Sequence, residues 1–292
     1  MASVTFFGAS VTQQKPGYVH HLCEKLKPRR SSVVAYGGCH LPDAGTCCLG
    51  EVVATCPDLC FVDWFSTGNT ACTAQTSDCI DRIVWTLTRV KCRVVFLILP
   101  NKSHADRLQY YAFCKSHLDK RGVDCIDISE TVKYSPKVIR DTVHTTPHGS
   151  RLYADIIYGA FTRLNARPPV LGEMWFPDTR SLIVGKKFKR CVILEGEFDK
   201  VAGIELKVGP SSGLVTVNGR RLTTWDRWCH YERTSFKFAN VTPCKGRITI
   251  QVLSEKFDTA ACKLPFDFTG IEKTLHISKI FYFGRSLTCS GS

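Results

Sequence analysis

Apolar residues follow two different rhythms along the 292-residue chain. In the first 165 residues, short continuous apolar runs alternate with longer stretches in which apolar residues recur every three or four positions. The runs at 4–7, 32–36, 59–65, 93–99 and 123–128 predict buried strands, several of them closed by breakers such as Gly37-Gly38, Ser66-Thr67-Gly68 and Pro100. The stretches at 18–26, 79–90, 105–120 and 149–164 predict amphipathic helices; Ile80, Ile83, Val84 and Leu87 share one face of the second. Strand, helix, strand at these spacings implies right-handed βαβ units, a central parallel sheet and an α/β domain.

Beyond residue 165 the rhythm changes. Ala166-Arg167-Pro168-Pro169 reads as a linker, because two prolines stop the helix and hold the chain extended. From about residue 182 apolar and polar positions alternate, as at 191–198, 203–208, 214–218, 235–238, 247–253 and 275–283. Turn sequences such as Gly209-Pro210-Ser211-Ser212-Gly213, Asn218-Gly219 and Pro243-Cys244-Lys245-Gly246 fall between them. Short strands with such punctuation predict an antiparallel sandwich. The expected organisation is a three-layer α/β/α domain over 1–165, a linker and interdomain segment over 166–181, and a jelly-roll-like β-sandwich over 182–292.

Composition narrows the class. With 44% hydrophobic and 22% charged residues the chain is a core-forming globular sequence. No apolar run approaches the roughly 20 residues that span a bilayer, and no basic-then-apolar leader precedes the first strand, so a cytoplasmic protein is expected. The 16 cysteines are spread over the whole length, including the strand interiors at Cys60 and Cys125, without paired zinc spacing. Buried free thiols that pack as small apolar groups are the expected reading; this cysteine usage, with no leader, would also suit a virus-encoded protein. The net charge of +13 is shared by both halves, the second more basic. That favours polyanion contact through the C-terminal half. The densest run, Lys186-Lys187-Phe188-Lys189-Arg190, reads as a solvated strand edge.

In open parallel sheets, sites form beyond the carboxyl ends of the strands. Ser10 follows the first strand, Gly37-Gly38 the second and Ser66-Thr67-Gly68-Asn69 the third, while Asp141 and His144 precede the last helix. A serine hydroxyl becomes a nucleophile when an imidazole takes its proton, and the imidazole needs a carboxylate to fix its tautomer. The developing oxyanion needs preorganised N–H donors, which a Gly-Gly turn and the N–H of Ser10 can offer.

This layout resembles the SGNH (GDSL-like) hydrolase family of esterases and lipases over roughly residues 1–165. The family's first block holds its serine as Gly-Asp-Ser; here it reads Gly8-Ala9-Ser10. The family's last block is Asp-x-x-His, often with Pro after the His and Gly five residues on. Here it is Asp141-Thr142-Val143-His144, with Thr145 after the His and Gly149 in place. The second block departs from the family's pattern, as Ala35-Tyr36-Gly37-Gly38-Cys39-His40. So does the third, where Gly68 and Asn69 are adjacent. The resemblance implies Ser10, Asp141 and His144 as catalytic residues and Ser10, Gly38 and Asn69 as oxyanion donors, with Gly37 and Thr67 as alternates. It implies no metal or organic cofactor, and an acylated small-molecule or glycan substrate, above all an O-acetyl ester on a carbohydrate. An acyltransferase on the same triad and a non-catalytic glycan- or polyanion-binding protein on this scaffold are the alternatives. In the second half, Trp225, Trp228 and Tyr231 cluster within 223–232; they would stack on sugar rings if exposed and fill the core if not. His20-His21, His40 and His104 lack metal-ligand spacing, and His148 has no matching Asp.

Overall fold

The computed structural model describes residues 2–67, 71–103, 105–132, 134–165, 168–172, 174–237, 240–255 and 259–292. The chain divides into two compact units, Met1–Phe176 and Pro177–Ser292.

The first unit runs β1 (Ser3–Gly8), α1 (Ser10–Gln13), α2 (Tyr18–Leu26), β2 (Arg30–Ala35), α3 (Ala44–Cys47), α4 (Leu49–Ala54), β3 (Leu59–Asp63), α5 (Ala74–Arg89), β4 (Arg93–Ile98), α6 (Leu108–Lys120), β5 (Asp124–Asp127) and α7 (Pro147–Phe161). Its sheet has the order β2-β1-β3-β4-β5, parallel throughout. The order reverses beside β1, so the crevice at a topological switch point opens at the carboxyl ends of β1 and β3, where doubly wound sheets hold their ligands. Period-two alternation divides the core. Phe6 stacks on Phe61 at 5.5 Å and packs with Tyr18 and Leu22 of α2 and Tyr153 and Ile157 of α7. Phe7, on the other face, meets the Trp64 ring edge-on at 5.2 Å.

The second unit contains β6 (Arg180–Phe188), β7 (Cys191–Glu195), β8 (Phe198–Val208), β9 (Leu214–Val217), β10 (Arg220–Thr223), β11 (Arg233–Lys237), β12 (Arg247–Val252), β13 (Leu275–Gly284) and β14 (Thr288–Gly291). They form two antiparallel sheets, β10-β9-β12-β7-β14 and β11-β8-β13-β6. Val192, Leu194, Val215 and Ile250 of the first share one core with Ile204, Leu206, Ile277 and Ile280 of the second. The predicted Asn218-Gly219 turn joins β9 to β10 with φ of 49° and 80°, the two-residue hairpin whose twist matches its strands. Lys186 and Lys187 lie exposed on β6, an edge strand, as the basic run suggested.

Several boundaries differ from the expected ones. Helices α3 and α4 were not anticipated, because Gly45, Cys47-Cys48 and Gly50 give no apolar period. Helix α5 begins at Ala74 rather than 79, since its first turn is polar. Helix α7 begins at Pro147, where Thr146 caps it by accepting a hydrogen bond from the Gly149 N–H (3.0 Å). The expected strand 191–198 is cut by Gly196 at φ 149°, and Phe198 opens β8 instead. All 16 cysteines are free. Burial pushes the thiols of Cys47, Cys79 and Cys92 up to about 12, so they pack as inert apolar groups. No helix among the described residues is long and apolar enough to cross a membrane.

Gly149 has a steric reason to be glycine: a Cβ there would lie 2.0 Å from the Val138 carbonyl oxygen. On the same helix a Cβ on Gly159 would meet nothing within 4 Å. Chemical denaturation should therefore separate the two changes. Gly149→Ala is expected to destabilise the first unit by about 1–3 kcal/mol, and Gly159→Ala to stabilise it by up to about 1 kcal/mol.

Candidate active site

β1 ends at Gly8 and the chain turns at once into the single turn of α1, which Ser10 opens. The Ala9 N–H donates to the Asp63 carbonyl at 3.0 Å, joining this turn to the end of β3. A Cβ on Gly8 would fall 2.5 Å from that carbonyl oxygen and 2.6 Å from Thr12 Oγ1, so only glycine permits the approach. Ser10 is half-buried, and its N–H, at the start of α1, has no acceptor within the helix.

Beneath this turn lies a carboxyl with no solvent exposure. Asp63 Oδ2 accepts from Thr12 Oγ1 (2.9 Å) and Oδ1 from Ser66 Oγ (2.7 Å), and the Tyr18 hydroxyl meets Thr12 Oγ1 at 2.8 Å. Burial pushes the Asp63 carboxyl up; the hydrogen bonds from Ser66 and Thr12 oppose this, and it settles at about 6. One residue thus fixes both the serine turn and the loop after β3. That loop is also held by Arg107, whose guanidinium donates to the carbonyls of Phe65 and Thr67, and by Asn101, which donates to the Ser66 carbonyl at 3.4 Å. The Thr67 hydroxyl is spent locally on the Trp64 carbonyl (3.0 Å). Asn69 and Gly68 lie outside the described residues.

The two glycines after β2 differ. The Gly37 N–H donates to Gln13 Oε1 (3.0 Å), and a Cβ there would come within 3.5 Å of Ser10 Cβ. Gly38 is exposed with φ 71°, and its N–H has no acceptor among the described residues.

Asp141 and His144 face each other because they end a tight hairpin. The Thr146 N–H donates to the Val138 carbonyl and the Arg140 N–H to the His144 carbonyl, each at 2.9 Å, and Ile139 pairs with Thr145. Across the turn, the Asp141 carboxylate accepts from the N–H groups of Val143 (3.0 Å) and His144 (2.9 Å) and from His144 Nδ1 (2.9 Å). Burial acts to raise the Asp141 carboxyl, but these hydrogen bonds outweigh it and hold the group below its ordinary value. With Nδ1–H directed at the carboxylate, Nε2 keeps its lone pair and can act as a base. The Lys102 N–H donates to the Thr142 carbonyl (2.8 Å), tying this hairpin to the loop after β4.

Ser10 Oγ and His144 Nε2 make no hydrogen bond among the described residues. Their segments are joined instead by Gln14, whose side-chain amide bonds both the N–H (3.1 Å) and the carbonyl (2.9 Å) of Thr145. Neither Gln14 nor Asp63 was singled out from the sequence: one is a loop polar residue whose partner is 131 positions away, the other the last residue of a strand. Among the described residues one group could seat a cation: His20, His21 and Glu24 of α2, with ligand atoms within 4.8 Å of one another. Both histidines are engaged with Glu24 along the helix.

No protein-family model and no curated protein matches the sequence. Solved structures do match. A two-domain esterase active on acetylated mannans superposes with a TM-score of 0.69, covering 98% of this chain and 92% of its own at 10% identity. The fold is similar to that of this esterase over both units. A crystal of such an esterase with mannopentaose gives 0.67 over 97% of this chain and 92% of its own, at 11% identity. A GDSL-like lipase from Bacteroides thetaiotaomicron covers 55% of this chain and 88% of its own, with a TM-score of 0.45 and 14% identity. The expected parallel α/β domain followed by antiparallel sheets is the observed architecture.

The three aromatic residues of the second unit separate. Trp225 packs against the core and lies 6.5 Å from the Phe268 ring. Trp228 and Tyr231 are 37% and 48% exposed, and the Arg227 guanidinium and Lys263 ammonium sit 5.6 and 5.9 Å from the Trp228 ring centre.

The raised value of Asp63 has a consequence for stability. Its folded value lies above the ordinary carboxylate value of about 3.9, so the native state binds an extra proton between about pH 4 and pH 6. Stability from this group is full below that window and falls as pH rises through it. In urea unfolding across these pH values, the wild type should lose roughly 3 kcal/mol relative to Asp63→Asn. Parallel pH curves for the two proteins would contradict a buried, raised Asp63.

Proposed function

We propose that the first unit is a serine esterase acting on acyl esters, O-acetyl groups of a carbohydrate above all. The observation that carries this reading is the Asp141–His144 pair: one carboxylate, held by two backbone N–H groups, fixes the imidazole with Nε2 unbonded among the described residues, and Gln14 joins its hairpin to the segment that Ser10 opens. In this mechanism Ser10 Oγ attacks the ester carbonyl carbon while His144 Nε2 takes its proton. The oxyanion is held by the N–H groups of Ser10 and Gly38. The C–O bond to the alcohol then breaks, and His144 returns the proton to the departing oxygen. Water, activated by the same imidazole, releases the acid from Ser10. Gly38 is preferred over Gly37 as donor because the Gly37 N–H is already spent on Gln13.

The fold-mate's activity on acetylated mannans supports a carbohydrate ester as substrate. So do Trp228 and Tyr231, exposed aromatics on the second unit suited to sugar stacking. Trp225, packed on the core, is not assigned that role.

Ser10→Ala should abolish hydrolysis of nitrophenyl acetate and labelling by a fluorophosphonate probe, with the circular dichroism spectrum and melting temperature unchanged. Wild-type turnover by that variant would overturn the mechanism. A wild-type protein that neither hydrolyses the ester nor takes the label, yet retains glycans, would replace it with a binding role.

A further inference from the structure

We propose that Gln14 is the positioning residue that sets the Ser10 turn against the His144 hairpin, by clamping the main chain of Thr145 with both ends of its amide. The inference rests on the reading of Ser10 and His144 as partners. Four observations lead to it.

First, Gln14 lies four residues beyond Ser10, where α1 ends and the backbone becomes extended. Thr145 directly follows His144 and is 1% exposed. Each clamp residue is therefore close in sequence to one member of the proposed catalytic pair. Second, the contact is two-way. Gln14 Oε1 accepts from the Thr145 N–H at 3.1 Å and from its hydroxyl at 3.3 Å, while Nε2 donates to the Thr145 carbonyl at 2.9 Å and to the Pro16 carbonyl at 3.3 Å. A primary amide presents acceptor and donor side by side, so it pairs with the N–H and C=O of a single residue much as a neighbouring strand would. Third, among the described residues no other hydrogen bond joins segment 9–16 to hairpin 138–146. Ser10 and His144 themselves are not hydrogen-bonded, so their separation is set by what holds their segments.

Fourth, the clamp accounts for a departure in the last sequence block. The SGNH pattern often has proline after the histidine, which has no N–H to donate. This chain has Thr145, and its N–H is one of the groups that Gln14 holds. The Thr145 hydroxyl also meets Ser150 Oγ at 2.6 Å, which links the clamped residue to the first turn of α7. Gln14 touches no reacting atom; it acts through the position of the imidazole. Small displacements of a base from its nucleophile cost rate steeply, on the order of 100-fold for about 1 Å.

The test uses the full chain, with nitrophenyl acetate as substrate and fluorophosphonate titration to count active sites. Gln14→Leu removes both halves of the clamp. Gln14→Glu keeps an acceptor for the Thr145 N–H and loses the donor. Expected is a fall in kcat per titrated site of about 10–100-fold for Gln14→Leu and a smaller fall for Gln14→Glu, with KM within about threefold of wild type. A purely structural role would lower the number of titrated sites and the melting temperature but leave kcat per site unchanged. That result, in whichever variant folds, would overturn the proposal. A wild-type protein without turnover or labelling would overturn it too, together with the esterase reading. An active wild type matched by an equally active Gln14→Leu would remove the clamp alone.

Discussion

The site depends on how closely β1 and β3 approach at the switch point of the sheet. Gly8 and Asp63 are register partners, and the absent side chain of Gly8 lets the Ala9 N–H reach the Asp63 carbonyl. The Asp63 side chain then does for the loops what its main chain does for the strands, holding Thr12 on one oxygen and Ser66 on the other. A buried carboxyl is costly to place, and its upward shift records that cost. It remains tolerable because both oxygens are satisfied by hydroxyls whose own segments need anchoring. The direction of Ser10 is thereby inherited from the sheet.

The histidine side of the site is built by different physics. No strand delivers Asp141 and His144; a self-contained hairpin does, with its turn closed by the aspartate's own side chain. Its geometry is local and its placement is not. Its placement comes from the buried Val138 and Ile139, the hydrogen bond from the Lys102 N–H, the contacts of Thr145 and Thr146 with the first turn of α7, and the Gln14 amide. The serine side is thus placed by the sheet and the histidine side by a hairpin, and the Gln14–Thr145 contact joins the two.

This division explains what the sequence could and could not disclose. Apolar runs and periods reveal elements that bury a face, so the parallel sheet and helices α2, α5, α6 and α7 were legible. Helices α3 and α4, rich in glycine and cysteine, were not. Asp-x-x-His was legible because a turn of that length brings its ends together whatever surrounds it. Gly149 was legible as part of a pattern, and its cause, a carbonyl 2.0 Å from where a Cβ would sit, emerges only in three dimensions. Asp63 and Gln14 left no local trace: their partners lie up to 131 residues away and are in part main-chain atoms, which carry no residue identity. The aromatic cluster shows the same limit. Spacing could not separate Trp225, which the core takes, from Trp228 and Tyr231, which it leaves exposed.

The exposure of the Asp141–His144 pair fits the proposed substrate. The carboxylate side chain is 48% exposed and the imidazole 29%. A carboxylate in such a place can be oriented by burial or by hydrogen bonds. Burial would raise its proton affinity, whereas accepted hydrogen bonds lower it and fix direction at the same time. Here two backbone N–H groups and one imidazole N–H supply the orientation, and the net shift is downward. The carboxylate therefore stays ionised and aligned with the imidazole without deep burial. An enzyme that must meet an ester projecting from a bulky, hydrated glycan gains from that arrangement, because a deep pocket would exclude the chain that carries the acyl group.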